Sequence, residues 1–252
     1  MISARLRTGL AVPTVFALCA FLNFVALGAW QLQRRIWKLE LIDTMEQRLS
    51  AAPVPLPPEA TWRGLAQSAH EFERVSFSAK FTPNTYARVY GIGSALRSDL
   101  SGPGYWIFTP ARLPGGGTVV VDRGFVPETQ AASITQPPDG FIEMTGVLRW
   151  PQPRSLFSPT DPAHNIWFAR DQLAIAAAKG WGEVAPFYVD LESPITEGLP
   201  APTPLHANLR NDHLQYALTW FGLAAAVLVM FVFWVRARIQ SSRTPDRAVK
   251  SG

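Results

Sequence analysis

The stretch LAVPTVFALCAFLNFVALGAW, Leu10 to Trp30, decides the architecture of this chain together with its counterpart YALTWFGLAAAVLVMFVFWV, Tyr216 to Val235. Each is about 20 residues long; as a helix rising ~1.5 Å per residue it spans ~30 Å, one hydrocarbon core. Between them lie about 185 residues of mixed polarity, enough for one domain with its own core. The pattern predicts a water-exposed domain tethered to a bilayer at both ends.

The segments follow in order. Residues 1–30 form a cytoplasmic stub and a first transmembrane helix, and 31–60 a helix extension and a proline-rich spacer. Residues 61–193 form the domain and 194–215 a second proline-rich spacer. Residues 216–235 form the second transmembrane helix and 236–252 a basic tail. A cleaved signal peptide is the rival reading of the first segment, because Val25-Ala26-Leu27-Gly28 resembles a small-residue cleavage site. The apolar run to Leu27 exceeds the ~7–15 residues of a typical signal core, and Trp30 is the aromatic anchor of a retained span.

Of 252 residues 48% are hydrophobic, and the net charge is +4. The basic residues gather near the apolar segments, which is a topology signal and argues against nucleic acid as a partner. Arg236, Arg238, Arg243, Arg247 and Lys250 follow the second segment, whereas Arg210 alone precedes it. The second helix therefore points its C-terminus inward, and two spans place both termini in the cytoplasm and the domain outside it. Arg34, Arg35 and Lys38 then lie on the side that the charge rule disfavours, which suggests that they have work there. The single cysteine, Cys19, lies inside the first span and excludes an internal disulfide or a Cys-rich metal site.

The central domain reads as β-rich. Val75, Phe77, Ala79 and Phe81 alternate with polar residues, as on a half-buried strand. Tyr86 to Ile92, Phe141 to Trp150, Asn165 to Phe168 and Phe187 to Leu191 are further strands. Tyr105 to Leu113, Gly115-Gly116-Gly117 and Thr118 to Val126 read as a hairpin. Asp171 to Lys179 with Gly180 beyond is one short helix. The fold class is a membrane α+β protein: two transmembrane helices flanking one antiparallel, open-barrel-like domain with a short helix.

No Gly-x-Ser-x-Gly elbow, phosphate loop or dinucleotide fingerprint occurs, so the chain is read as a non-enzyme. Asp122-Arg123-Gly124 is read as a salt-bridged strand end before a turn. Asn23, deep in the first span, needs a partner and is assigned a hydrogen bond to the second helix. His206, Asp212 and His213 have the composition of a weak metal site. The more informative grouping lies at the outer membrane interface. His213 falls one turn before the second span, and Arg34 one turn after the first, so the two are expected at similar depth. His213, Tyr216, Ala217, Trp220 and Ala224 share a helical face, aromatic beside small, with room for a flat apolar ligand or a close helix. A neutral imidazole can ligate haem iron, and guanidinium groups can bind propionates. The alternative is that His213 and Trp220 are interfacial anchors and Arg34 meets lipid phosphate.

Several short motifs occur in a fixed order: Gly28-Ala29-Trp30-Gln31-Leu32-Gln33-Arg34-Arg35 with Trp37-Lys38; Gly104-Tyr105-Trp106; Val121-Asp122-Arg123-Gly124-Phe125-Val126-Pro127; Gly146-Val147-Leu148-Arg149; Trp167-Phe168-Ala169-Arg170-Asp171; and Asn211-Asp212-His213-Leu214-Gln215-Tyr216-Ala217. In this order they resemble the surfeit locus protein 1 family of cytochrome c oxidase assembly proteins. Two departures stand out: Phe125 where tryptophan is commoner, and Pro202-Thr203-Pro204-Leu205 where the family often has Gly-Gly-x-Thr. The resemblance implies a membrane-bound factor that holds haem a, or assists its insertion into subunit I of haem-copper oxidase; the expected location is a bacterial inner membrane. It places the haem contact at His213; Tyr216 and Trp220, on the same helical face, are read as pocket walls. Arg34 and Arg35 are inferred to take the propionates or a partner. The implied partners are oxidase subunit I, the haem a synthesis machinery and membrane lipid. The competing classes are a haem-free scaffold, a membrane-tethered enzyme and a periplasmic sensor.

Overall fold

Among the residues described by a computed structural model, 2–92, 102–152, 161–195, 198–202, 205 and 211–243, the chain forms four α-helices and eight strands. The helices are α1 (Ile2–Ser50), α2 (Gln67–His70), α3 (Gln172–Lys179) and α4 (His213–Arg243). The strands are β1 (Val54–Pro55), β2 (Arg74–Phe81), β3 (Ala87–Ile92), β4 (Pro103–Arg112), β5 (Thr118–Pro127), β6 (Ile142–Arg149), β7 (Ile166–Trp167) and β8 (Tyr188–Ser193). The chain divides into two compact units, a helical one of Met1–Leu41 with Arg210–Gly252 and a sheet domain of Ile42–Leu209.

In the helical unit, α1 and α4 each carry a stretch long and apolar enough to cross a bilayer. Val12 and Phe16 on α1, and Met230 and Phe233 on α4, are 62–76% exposed. A dense apolar surface of this kind is an aggregation hazard in water and is at home in hydrocarbon. The helices meet along a narrow seam where small residues permit close approach. Ala217 and Ala224 are buried there. Gly28 faces the Phe221 ring so closely that a Cβ would lie 2.7 Å from it. Phe24 stacks on Trp220 with ring centroids 5.7 Å apart.

The sheet domain begins with the last turns of α1, where Met45 is buried and Arg48 donates to the carbonyls of Glu71 (2.7 Å) and Ser68 (2.9 Å). The proline-rich stretch after Ser50 docks as β1, parallel to β2, with Val54 opposite Val75. The strand order is β1-β2-β6-β8-β5-β4-β3-β7. The sheet is mixed, which corrects the expected antiparallel arrangement: β1–β2, β5–β8 and β3–β7 are parallel pairs. Nor is it a barrel. A two-residue pairing of Lys80–Phe81 with Ala111–Arg112 pinches one corner of a curled sheet.

Both faces of the central strands are covered. Val119, Val121, Phe187, Val189 and Leu191 pack into one core cluster with Trp62, Met144 and Leu148. Val120, Phe125 and Tyr188, from the same strands, pack into the other with Trp106, Phe108 and Ile175. The β4–β5 hairpin closes over Leu113–Gly117, with Gly116 and Gly117 at φ of 100° and 73°. Helix α3 is capped by Asp171, whose carboxylate accepts from the Ala174 amide at 3.0 Å, and it stops at left-handed Gly180.

Asp122-Arg123-Gly124 is not a strand end. It lies inside β5, at a bulge where Arg123 and Gly124 together face Ile107 between the pairs Trp106–Phe125 and Phe108–Asp122. Gly124 takes φ 123°, and the Ala201 carbonyl packs where its Cβ would be. Residues 199–201 of the second proline-rich stretch are thereby held in place, Ala201 by a bridge to Phe125 of β5 and Leu199 by a bridge to Ile134.

Candidate functional site

The first turn of α4 brings a polar group into the seam of the helical unit. His213 is half-buried, and its Nδ1 lies 2.7 Å from Gln31 Oε1 on α1. Gln31 is the seam residue that follows Phe24 and Gly28 at helical spacing, so α1 presents its carboxamide where α4 presents the imidazole. Just before α4, the side-chain amide oxygen and nitrogen of Asn211 are buried with no hydrogen-bond partner among the described residues.

The other expected site residues are placed differently. Arg34 is exposed, and its guanidinium stacks on Trp37 of its own helix at 4.0 Å. Arg35 is half-buried. Trp220 is half-buried against Phe24, whereas Tyr216 is 55% exposed. The structure therefore brings His213 to Gln31, and Gln31 is the residue that sequence reasoning missed. Its one signal was its place in the Gly28–Arg35 motif. Asn23 does not make its expected bond to the second helix: it is exposed, and Gln31 makes the polar inter-helix contact two turns further on. Among the described residues no three His, Cys, Asp or Glu side chains cluster as metal ligands. His206 lies outside the described residues, as do Arg210, Arg247 and Lys250.

The sheet domain holds a second polar centre, also unforeseen. Asp122 and Asp190 are fully buried on neighbouring β5 and β8. Arg149 of β6 reaches Asp190 at 3.2 Å and Glu71 at 3.6 Å. Arg170 lies 3.6 Å from Asp190 and 3.7 Å from Asp122, with its guanidinium 4.1 Å from the Trp106 ring centre. Asp122 also accepts the Gly124 amide at 3.0 Å, which ties the ionic centre to the bulge. Burial works against the Arg170 charge, yet the Tyr188, Asp190 and Asp122 side chains outweigh it and raise its pKa. Burial lowers the Arg123 guanidinium to about 10.

Burial pushes the Tyr188 phenol above its ordinary range, against the opposing pull of Arg149. An unfolded phenol ionises near pH 10, and the folded one only above that. The unfolded chain thus releases this proton first, so Tyr188 makes stability fall as pH rises above about 10. Arg123 has the opposite sign, because its burial cost is relieved once it deprotonates. Tyr188→Phe keeps the packing and isolates the first effect. Denaturation midpoints between about pH 9 and about pH 11 should fall less steeply in the variant. Equal slopes would show that Tyr188 ionises normally.

Two helices long and apolar enough to cross a bilayer precede and follow a mixed-sheet domain in the chain, the layout of a candidate membrane protein, and a histidine held by a glutamine opens the second helix. The profile of the SURF1 family matches residues 18–225. The SURF1-like protein of Monosiga brevicollis is 33% identical over 223 residues, covering 82% of this chain and 81% of that protein. Surfeit locus protein 1 of Rattus norvegicus is 32% identical over 87% of this chain and 72% of its own length. That of Homo sapiens is 34% identical over 79% and 70%. The chain belongs to the SURF1 family.

Proposed function

We propose that the chain is a non-enzymatic assembly factor for haem-copper (cytochrome c) oxidase that holds haem a, or assists its insertion into subunit I, at the outer membrane interface. The 2.7 Å contact between His213 and Gln31 carries this reading. With Gln31 Oε1 accepting, the imidazole keeps its proton on Nδ1 and offers the Nε2 lone pair. Metal-ligating histidines are commonly oriented by a second partner in this way. Haem a, when bound, supplies a redox-active iron and two propionate carboxylates. His213 would hold the iron, Tyr216 and Trp220 would wall the macrocycle, and Arg34 and Arg35 would take the propionates or a partner.

Arg236 and Arg238 after the second span favour cytoplasmic termini with the domain on the opposite side, which in the bacterial inner membrane of this proposal is the periplasm. The partners would be oxidase subunit I, the haem a synthesis machinery and lipid. The stacking of Trp220 on Phe24 draws one aromatic wall into the seam, and this favours a second reading, a haem-free scaffold. The test is purification of the full chain from a host that makes haem a. Soret absorbance should be present, lost in His213→Ala and reduced in Gln31→Leu. Copurification with subunit I without a Soret band would support the scaffold. If His213→Ala carries as much haem and assembles oxidase equally well, the ligand role is wrong.

A further inference from the structure

The face of α1 turned away from α4 has a 3-4 pattern that no described residue of the helical unit covers. Phe16, Cys19, Asn23, Ala26, Trp30 and Gln33 recur at alternating steps of three and four residues, and all are exposed. The α4-facing set, Phe24, Gly28 and Gln31, lies roughly a third of a turn away at 100° per residue. A 3-4 repeat is the seam of a left-handed helix pair, in which two sets of side chains interlock. In this register Phe16, Asn23 and Trp30 occupy one of the two alternating core positions, and Cys19, Ala26 and Gln33 the other.

Asn23 is the feature that asks for a partner. It sits mid-way along the apolar run, and no described residue hydrogen-bonds its side chain. A carboxamide facing hydrocarbon is strongly disfavoured until it finds a donor and an acceptor. We infer that α1 pairs in parallel with α1 of a second copy of this chain, Asn23 against Asn23. Three features choose this occupant. A carboxamide is donor and acceptor at once, so two related by a two-fold axis satisfy each other. Copies inserted with the same topology place Asn23 at identical depth. One asparagine at the first core position of a 3-4 repeat fixes register and oligomeric state in helix pairs. Cys19 and Ala26 beside it are small, which lets the backbones approach. The inference rests on reading α1 as a membrane span.

Cys19 is the only cysteine and lies on the inferred seam, so it reports the pairing. Membranes holding the full chain are oxidised with copper-phenanthroline. A disulfide-linked product at twice 27.8 kDa is expected. Asn23→Val should cut its yield several-fold, and Asn23→Gln, which keeps the amide, should restore much of it. In a Cys19→Ser background, Ala26→Cys should cross-link and Leu22→Cys, exposed but off the repeat, should not. The dissociation constant in detergent should rise about tenfold in Asn23→Val. No dimer from Cys19, equal yields with Asn23→Val, or equal yields from Leu22→Cys would overturn the pairing. A cross-linked product of another mass that depends on Asn23 would overturn the second copy as occupant. Extraction of the chain by alkaline carbonate would instead overturn the membrane reading, and that is measured on the same membranes.

Discussion

Replacing Asp190 with alanine is expected to destabilise the sheet domain by about 3–5 kcal/mol, the usual cost of breaking a buried ion pair from one side. Asp190 is fully buried, and Arg149 and Arg170 converge on it at 3.2 and 3.6 Å. Without it, the carboxylates left to the pair are Asp122, 3.7 Å from Arg170, and Glu71, 3.6 Å from Arg149. Two cations would then share less negative charge in a largely buried site. The strand itself also depends on this residue, because Asp190 pairs with Val147 on one side and Asp122 on the other. Denaturant unfolding of the full chain in detergent measures the loss. The double variant Asp190→Ala with Arg149→Met should recover part of it, since the stranded charge goes too. A loss below about 1 kcal/mol would mean that the two arginines find other acceptors.

Replacing Gly124 with alanine should cost about 3 kcal/mol or more. Two independent causes add here. The φ of 123° belongs to a region that L-residues avoid, and the new Cβ would lie 2.3 Å from the Ala201 oxygen and 2.8 Å from the Pro202 nitrogen. These obstacles are backbone atoms, so no rotamer change relieves them. The 199–202 segment would have to leave the sheet, and the Asp122 contact to the Gly124 amide would loosen with it. Gly180→Ala is the control. Its φ is 66° with nothing near the new Cβ, so it carries strain alone and should cost about 1 kcal/mol. Limited proteolysis near residue 200 and the unfolding midpoint are the readouts. Similar losses in the two variants would show that the close approach to Ala201 carries no weight.

The sequence was most legible where structure is local. The triple glycine after Leu113 marked the β4–β5 hairpin, Asp171 and Gly180 bracketed α3, and the alternation from Val75 to Phe81 gave β2 its buried face. Pairings between distant segments were not legible. Nothing local in Tyr188–Ser193 says that it inserts between β5 and β6, parallel to one and antiparallel to the other. Asp122 was read as part of a salt-bridged strand end, and nothing local marked Asp190 within the Phe187–Leu191 strand; both are fully buried. Gly124 read as a turn because a bulge and a turn both use a glycine at positive φ. At the candidate site, His213 was visible from its place before an apolar run. Gln31 was not, because a glutamine at a membrane border has no pattern until the opposing helix is known. Asn23 was assigned a partner on the second helix, and that helix does not supply one.

The position of β8 also constrains how the chain is made. β5 and β6 cannot join until β8, completed at Ser193, slots between them, and α4 begins only at His213. Until then a nascent chain exposes two raw strand edges and the charges of Asp122 and Arg149. The ribosome would thus release the closing strand and the start of the second long apolar helix almost together, leaving a short interval in which a slow-folding variant is open to proteolysis or to mispairing with a neighbour.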